Sequence, residues 1–185
     1  YRKQKLSAVA ADVHRDYLQA LDPSHIYFLQ SDIDEFKRYG DTLMQANKGD
    51  LGGILAIYQR YSERANALNR WSLERLSRPF DLNGKDTVTY PDYKAEKERP
   101  WPTTVEAAQA EQEKRIEDQL IRLRVSGKSE EKALKLLRSR HTGALRRLNQ
   151  ISMNDVFDIY MNVLSSRFDP HSNYLSPRNN EDFNI

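Results

Sequence analysis

The 185-residue sequence contains no cysteine, which excludes disulfide bonds and metal sites built from thiolates. Glycine is scarce, with 7 residues, and this argues against an all-β fold, in which tight turns need glycine. There is no run of about 18 apolar residues, so the sequence predicts no membrane-spanning helix. The formal net charge of +2 gives no strong electrostatic argument for a nucleic-acid or membrane partner.

What the sequence does contain is typical of amphipathic helices with wide solvent-facing sides: 30% charged and 38% apolar residues. Apolar residues recur at steps of three and four along most of the chain, which predicts helices. The fold class is therefore expected to be all-α, a domain of about six to seven helices with one long Pro-rich loop. The predicted helices cover about 5–21, a segment from Ser31 to before Asn47, 51–77, 104–125, 130–149 and 153–167.

Capping signals mark the ends of these predicted helices. Ser31, Thr103 and Ser152, each with an acidic residue three positions later, are predicted N-caps, and Ser129 is another. Gly127 is the predicted residue just past a helix C-terminus.

The long loop covers residues 78–104, where the helical periodicity stops and four prolines lie. Thr87–Tyr90 is a candidate short strand within it. Trp101 lies between Pro100 and Pro102 and is predicted to anchor the loop to the helices. A loop of this length in a small domain is usually functional or packed by its own side chains.

A similar phrase occurs near both ends of the chain. An Asp-Pro pair, which a helix does not readily cross, is followed by a tyrosine five residues after the aspartate and later by an acidic pair and phenylalanine. We interpret each copy as a corner between two helices, and Ser176-Pro177 as the start of a further helix. The residues predicted to build these corners are Asp22, Pro23, Tyr27, Asp169, Pro170, Tyr174, Ser176 and Pro177.

No catalytic, cofactor or metal site emerges from the residues themselves. Gly127-Lys128-Ser129 resembles the end of a phosphate-binding loop, but Arg122 stands where that motif needs glycine, so we interpret it as a helix cap. The four histidines show no metal-ligand spacing. Ser165-Ser166 lies inside a predicted helix with no glycine-rich turn to supply oxyanion donors. The basic stretch in 130–149 indicates a solvated face or a docking surface for an acidic partner.

A resemblance adds what the patterns do not. The stretch from Asp169 to Pro177, followed by Arg178-Asn179 and Phe183-Asn184, resembles the segment that leads into the PDZ domain of C-terminal processing peptidases. The likeness is greatest to the tail-specific proteases of Gram-negative bacteria, and it extends along nearly the whole chain. Other matching motifs are Leu21-Asp22, Ser31-Asp32, Phe36, Pro79-Phe80-Asp81, Gly84, Asp86-Thr87, Pro100-Trp101-Pro102, Gly127-Lys128, Arg146-Arg147-Leu148 and Asn154-Asp155-Val156-Phe157.

The resemblance implies an N-terminal helical domain, residues 1–177, with 178–185 starting the connection into a PDZ domain. The parent protein would be a periplasmic serine endopeptidase that acts on proteins with an apolar C-terminus through a Ser–Lys dyad located downstream. No residue of this chain matches that dyad, so no catalytic residue and no cofactor is assigned here.

The implied partners are the PDZ and protease domains of the same protein, unfolded or tail-marked substrates, and an adaptor lipoprotein or a second copy, but not nucleic acid. The implied location is the periplasm, including the membrane periphery. The loop 78–104 and the helix 130–149 are the candidate docking surfaces. Two alternatives stay open: a freestanding all-α adaptor for protein partners, and a nucleic-acid-binding helical module that rests on the basic stretch alone.

Overall fold

The structure, a computed structural model, describes residues 2–40, 46–84, 88 and 98–168. The all-α prediction is confirmed, since these residues form six α-helices and no strand. The helices are α1 (Arg2–Leu21), α2 (Gln30–Phe36), α3 (Gly52–Leu76), α4 (Val105–Val125), α5 (Glu130–Gln150) and α6 (Met153–Phe168). Within the described ranges, no helix combines the length and apolar character needed to cross a bilayer.

The described part of the segment between α3 and α4 contains no α-helix, as predicted for the long loop. Asn83-Gly84 forms a turn in which Gly84 has φ +70° and the Asn83 N–H donates to Asp81 Oδ1 at 3.1 Å. The predicted strand Thr87–Tyr90 lies outside the described residues apart from Val88, which is not in a strand.

The helix predicted from Ser31 differs from the structure in its cap and its length. α2 begins at Gln30 with Leu29 as its N-cap, so Ser31 lies inside the helix and is not its cap. Asp32 Oδ2 instead accepts from the N–H of Leu29, at 2.9 Å, which stabilises the first turn. The backbone then tightens into a 3₁₀ turn at Lys37–Tyr39, and a second 3₁₀ turn covers Ala46–Lys48.

The caps of the later helices follow the sequence with one correction. Thr104, not Thr103, is the N-cap of α4, because it adopts an extended backbone and its Oγ1 accepts from the Ala107 N–H at 3.0 Å. Ser129 caps α5 as predicted. Ser152 and Asp155 exchange side-chain-to-backbone hydrogen bonds before α6, which is a reciprocal capping box.

Two buried clusters form the core, and α3 contributes to both. The first joins α1, the connector after it, α2, the start of α3, and α6; the second joins the end of α3 with α4 and α5. At 25 residues, α3 is about 37 Å long, which lets one helix span both clusters. The fully buried Tyr17 and Tyr160 meet edge to face in the first cluster, and Tyr17 donates to the Ile54 carbonyl at 3.0 Å.

Gly127 ends α4 in the predicted way. It has φ +92°, and its N–H donates to the Arg124 carbonyl while the Lys128 N–H donates to the Leu123 carbonyl, each at 3.0 Å. This pair of bonds is the Schellman arrangement, which needs a left-handed residue.

Gly127→Ala is expected to lower the free energy of unfolding by about 1 kcal/mol, because alanine disfavours the left-handed backbone although its methyl group meets open space. Gly143→Ala, inside α5, is the matched control and is expected to raise it by about 0.5–1 kcal/mol. Urea unfolding measures both. Equal effects of the two substitutions would contradict the assignment of Gly127 as the left-handed cap.

Candidate functional site

The candidate site is the corner between α1 and α2, residues 22–29, where four of the predicted structural residues lie or dock. α1 ends at Leu21, and the Asp22–His25 turn is closed by the His25 N–H donating to the Asp22 carbonyl at 3.2 Å. Pro23, with its fixed φ, is the exposed second residue of this turn. His25 follows in a left-handed conformation, φ +52°, which reverses the chain direction.

The carboxylate of Asp22 is the centre of the corner. It is 1% exposed and accepts three backbone N–H groups, those of Ile26 at 2.9 Å, Tyr27 at 2.8 Å and Phe28 at 3.0 Å. Burial raises the pKa of this carboxyl above its usual range, and the three N–H donors offset only part of that rise. Both oxygens are bonded to the protein's own backbone, so the role of Asp22 is structural.

Trp101 packs on this corner. Its ring stacks on the His25 imidazole, with ring centroids 3.5 Å apart, and meets Phe28 edge to face at 5.8 Å. Hydrogen bonds to loop carbonyls flank it on both sides: the Gln30 N–H donates to the Pro102 carbonyl at 2.9 Å, and the side-chain Nδ1 of His25 donates to the Arg99 carbonyl. The end of the long loop is therefore attached to the corner by aromatic stacking and two hydrogen bonds.

The hydrogen bonds of His25 fix the orientation of its ring. Gln19 Nε2 donates to the Pro23 carbonyl at 2.8 Å, which turns Gln19 Oε1 toward His25 Nε2 at 3.0 Å. Each ring nitrogen therefore has a polar partner, and the ring lies nearly parallel to that of Trp101.

A second buried carboxylate, Asp32, ties α2 to α3. Arg64 binds it with two bonds, Nε to Oδ2 at 2.9 Å and Nη2 to Oδ1 at 3.0 Å, and Arg60 adds a third at 2.5 Å. Burial raises the pKa of Asp32, but the bonds from Arg64, the Leu29 N–H and Arg60 outweigh it and hold the pKa below its usual range.

Tyr27 connects the corner to α3 and α5. Its ring meets Tyr61 edge to face at 5.8 Å, and its hydroxyl accepts from Asn69 Nδ2 at 3.5 Å. Asn69 Oδ1 in turn accepts from His141 Nδ1 at 2.8 Å. Burial, with a smaller effect of nearby Arg140, lowers the pKa of His141. The predicted Tyr27 thus belongs to a polar chain between three elements.

The chemistry available to the serines is limited by their bonds. Ser72, Ser126 and Ser166 each donate the hydroxyl to a carbonyl of their own helix, at 2.7, 2.7 and 2.8 Å. A hydroxyl used in this way is not activated as a nucleophile. No cluster of metal-ligating side chains occurs among the described residues.

The sequence analysis assigned Asp22, Pro23 and Tyr27 to one corner and Trp101 to a separate anchor of the long loop, without connecting the two. The structure brings these four together. Asp169, Pro170, Tyr174, Ser176 and Pro177 lie outside the described residues, so the second copy of the phrase stays a prediction.

The chain was compared with known proteins. Residues 1–178 match the family described as "Tail specific protease N-terminal domain". This chain belongs to that family. It is 35% identical, over 187 aligned residues and its whole length, to the "Tail-specific protease" of Haemophilus influenzae. The chain spans 26% of that relative, so it corresponds to about a quarter of the tail-specific protease. The family resemblance predicted from the sequence is confirmed.

Asp22→Asn is expected to destabilise the domain by about 2–4 kcal/mol, because an amide has one acceptor oxygen and its NH₂ opposes a buried N–H donor. Asp81→Asn is the matched control, since the exposed Asp81 accepts one N–H that asparagine can also accept. Thermal unfolding compares the two variants. A change for Asp22→Asn as small as that for the control would contradict the central role of this carboxylate.

The lowered pKa of Asp32 predicts that the free energy of unfolding depends on pH. Its pKa is lower in the folded state, so its contribution is complete above the ordinary aspartate pKa of about 3.9 and is lost as pH falls through the folded value. Asp32→Asn should therefore cost about 3 kcal/mol near pH 7 and progressively less below about pH 4. Urea unfolding at several pH values measures this difference. The exposed Asp34→Asn is the control, and a pH-independent cost for Asp32→Asn would refute the assignment.

Proposed function

We propose that this chain is the N-terminal scaffolding domain of a longer periplasmic serine endopeptidase that degrades or processes proteins from an apolar C-terminus. The observation that carries the proposal is the family match over residues 1–178, together with the tail-specific protease of Haemophilus influenzae, a relative about four times as long. The domain is not catalytic by itself, and the Ser–Lys dyad implied by the resemblance lies in another part of the protein.

The internal bonding supports a scaffolding role. The carboxylate oxygens of Asp22 and Asp32 accept hydrogen bonds from the domain's own backbone and arginines. These bonds make the corner rigid and leave neither carboxylate as a reactive group. A rigid corner that also holds the end of the loop fits a domain that supports neighbouring domains and borders a route for substrate.

Two surfaces are the candidates for partners. The described C-terminal end of the loop 78–104 is held at Trp101, whose ring stacks on His25. On α5, Lys132, Lys135, Arg140 and Arg146 are exposed, which suits an acidic surface on a neighbouring domain, an adaptor lipoprotein or a second copy.

The proposal predicts that antibody against this chain detects a band several-fold heavier than 21.6 kDa in the periplasmic or peripheral membrane fraction of source cells. That heavier protein should cleave an unfolded substrate with an apolar C-terminus faster than the same substrate with a charged C-terminus. The 185-residue chain should cleave neither. A single band at 21.6 kDa would contradict the proposal and favour a freestanding adaptor.

A further inference from the structure

A cleft of about 270 Å³ lies beside the corner, where five segments converge. The end of α1 and Tyr27 form one side, and α3, α5 and α6 supply the others. The residues from α5 and the turn after it are Ala144, Arg147, Leu148 and Ile151. The contacts described so far assign no role to this cleft.

The walls of the cleft are mainly apolar. Leu148 and Ile159 are half-buried, and Ile151 is exposed, at 38%. The rings of Tyr58 and Tyr61 pack against each other with centroids 5.7 Å apart and form the α3 wall. Such a surface favours an apolar group of the ligand.

The polar groups of the cleft favour one negative charge. Arg147 is the only charged side chain that lines it, and within the described part of the chain it pairs with no carboxylate. Burial raises the pKa of Tyr58 and of Tyr61, so both hydroxyls stay protonated and can donate. Asp155, whose carboxylate accepts from Ser152, also raises the pKa of Tyr58.

We propose that this cleft binds the C-terminal residue of a polypeptide, with its apolar side chain against Leu148, Ile151 and Ile159 and its α-carboxylate on Arg147. Within an unmodified polypeptide, an apolar side chain and a carboxylate occur on the same residue only at the C-terminus. Arginine matches a carboxylate with two parallel hydrogen bonds.

The size of the cleft agrees with such a ligand. Pockets for drug-sized molecules measure about 300–1,000 Å³, so 270 Å³ suits the last one or two residues of a chain rather than a whole partner helix. The inference rests on the proposed function in taking protein tails as the ligands this domain meets. It assigns to the helical domain itself a contact with those tails.

The test is fluorescence anisotropy of the 185-residue chain with a short fluorescein-labelled peptide that ends in leucine. The peptide is used as the free acid and as the C-terminal amide. The acid should bind at least about tenfold more tightly than the amide, since the amide cannot form the charge-assisted pair with arginine.

Two variants locate the site. Arg147→Gln should weaken binding of the acid about tenfold and leave the amide unchanged. Arg146→Gln is the control, because Arg146 is the exposed neighbour on α5 that does not line the cleft. Ala144→Phe, which fills the cleft, should abolish binding of the acid, and an unchanged melting temperature shows that the variant is folded.

Equal binding of acid and amide, or an Arg147→Gln variant that binds like wild type, would overturn the proposal. If the chain binds octanoate saturably but does not bind the peptide, the proposal is also overturned, and the ligand of the cleft is a fatty acid instead. Cleavage of tailed substrates by the longer protein without binding to this cleft would refute this inference alone. Failure of that cleavage would refute the proposed function instead.

Discussion

The buried carboxylate of Asp22 is the constraint on which the rest of the corner depends. An isolated charge in an apolar core is costly in free energy. Here three consecutive backbone N–H groups donate to the Asp22 carboxylate at 2.8–3.0 Å. These bonds fix the backbone of residues 26–28, with Phe28 in the first core cluster and Tyr27 edge to face against Tyr61. The left-handed His25 is tolerated because the same turn is closed from both ends.

From this corner, polar contacts extend to α3 and α5. Asp32 holds α3 through Arg60 and Arg64, and Tyr27 reaches α5 through Asn69 and His141. At the far end of the first cluster, Arg167 of α6 forms an ion pair with Asp12 of α1. The loop end that carries Trp101 is attached to the corner where the Trp101 ring stacks on His25. The proposed scaffolding role draws on this connected set of contacts, in which a displaced corner would disturb both core clusters.

The sequence allowed the helices to be predicted because apolar spacing and capping residues are local signals. Ser129, Ser152 and Gly127 were assigned correctly for this reason, and the two missed N-caps, Thr103 and Ser31, lie one and two residues from the true ones. Thr103 and Thr104 have the same side-chain hydroxyl, so the sequence does not show which of them is the N-cap. The backbone position of Pro102, which accepts from the Gln30 N–H, decides between them. The pairing of Asp32 with Arg60 and Arg64 was not predicted, since it joins residues about thirty positions apart. Two arginines one helical turn apart beside an apolar stripe were the signal that a buried acid lay opposite them. The cleft beside Tyr27 depends on five segments converging, which no local pattern encodes.

Asp22 is expected to hold residues 26–28 as firmly as the backbone of a core helix. Native-state hydrogen exchange of the backbone amides of Ile26, Tyr27 and Phe28 measures this. These amides, although they lie in no helix, should exchange only through global unfolding and with the same free energy as buried amides of α3. Exchange at the rate of an exposed turn, while α3 stays protected, would contradict the claim and reduce the corner to a local connection between α1 and α2.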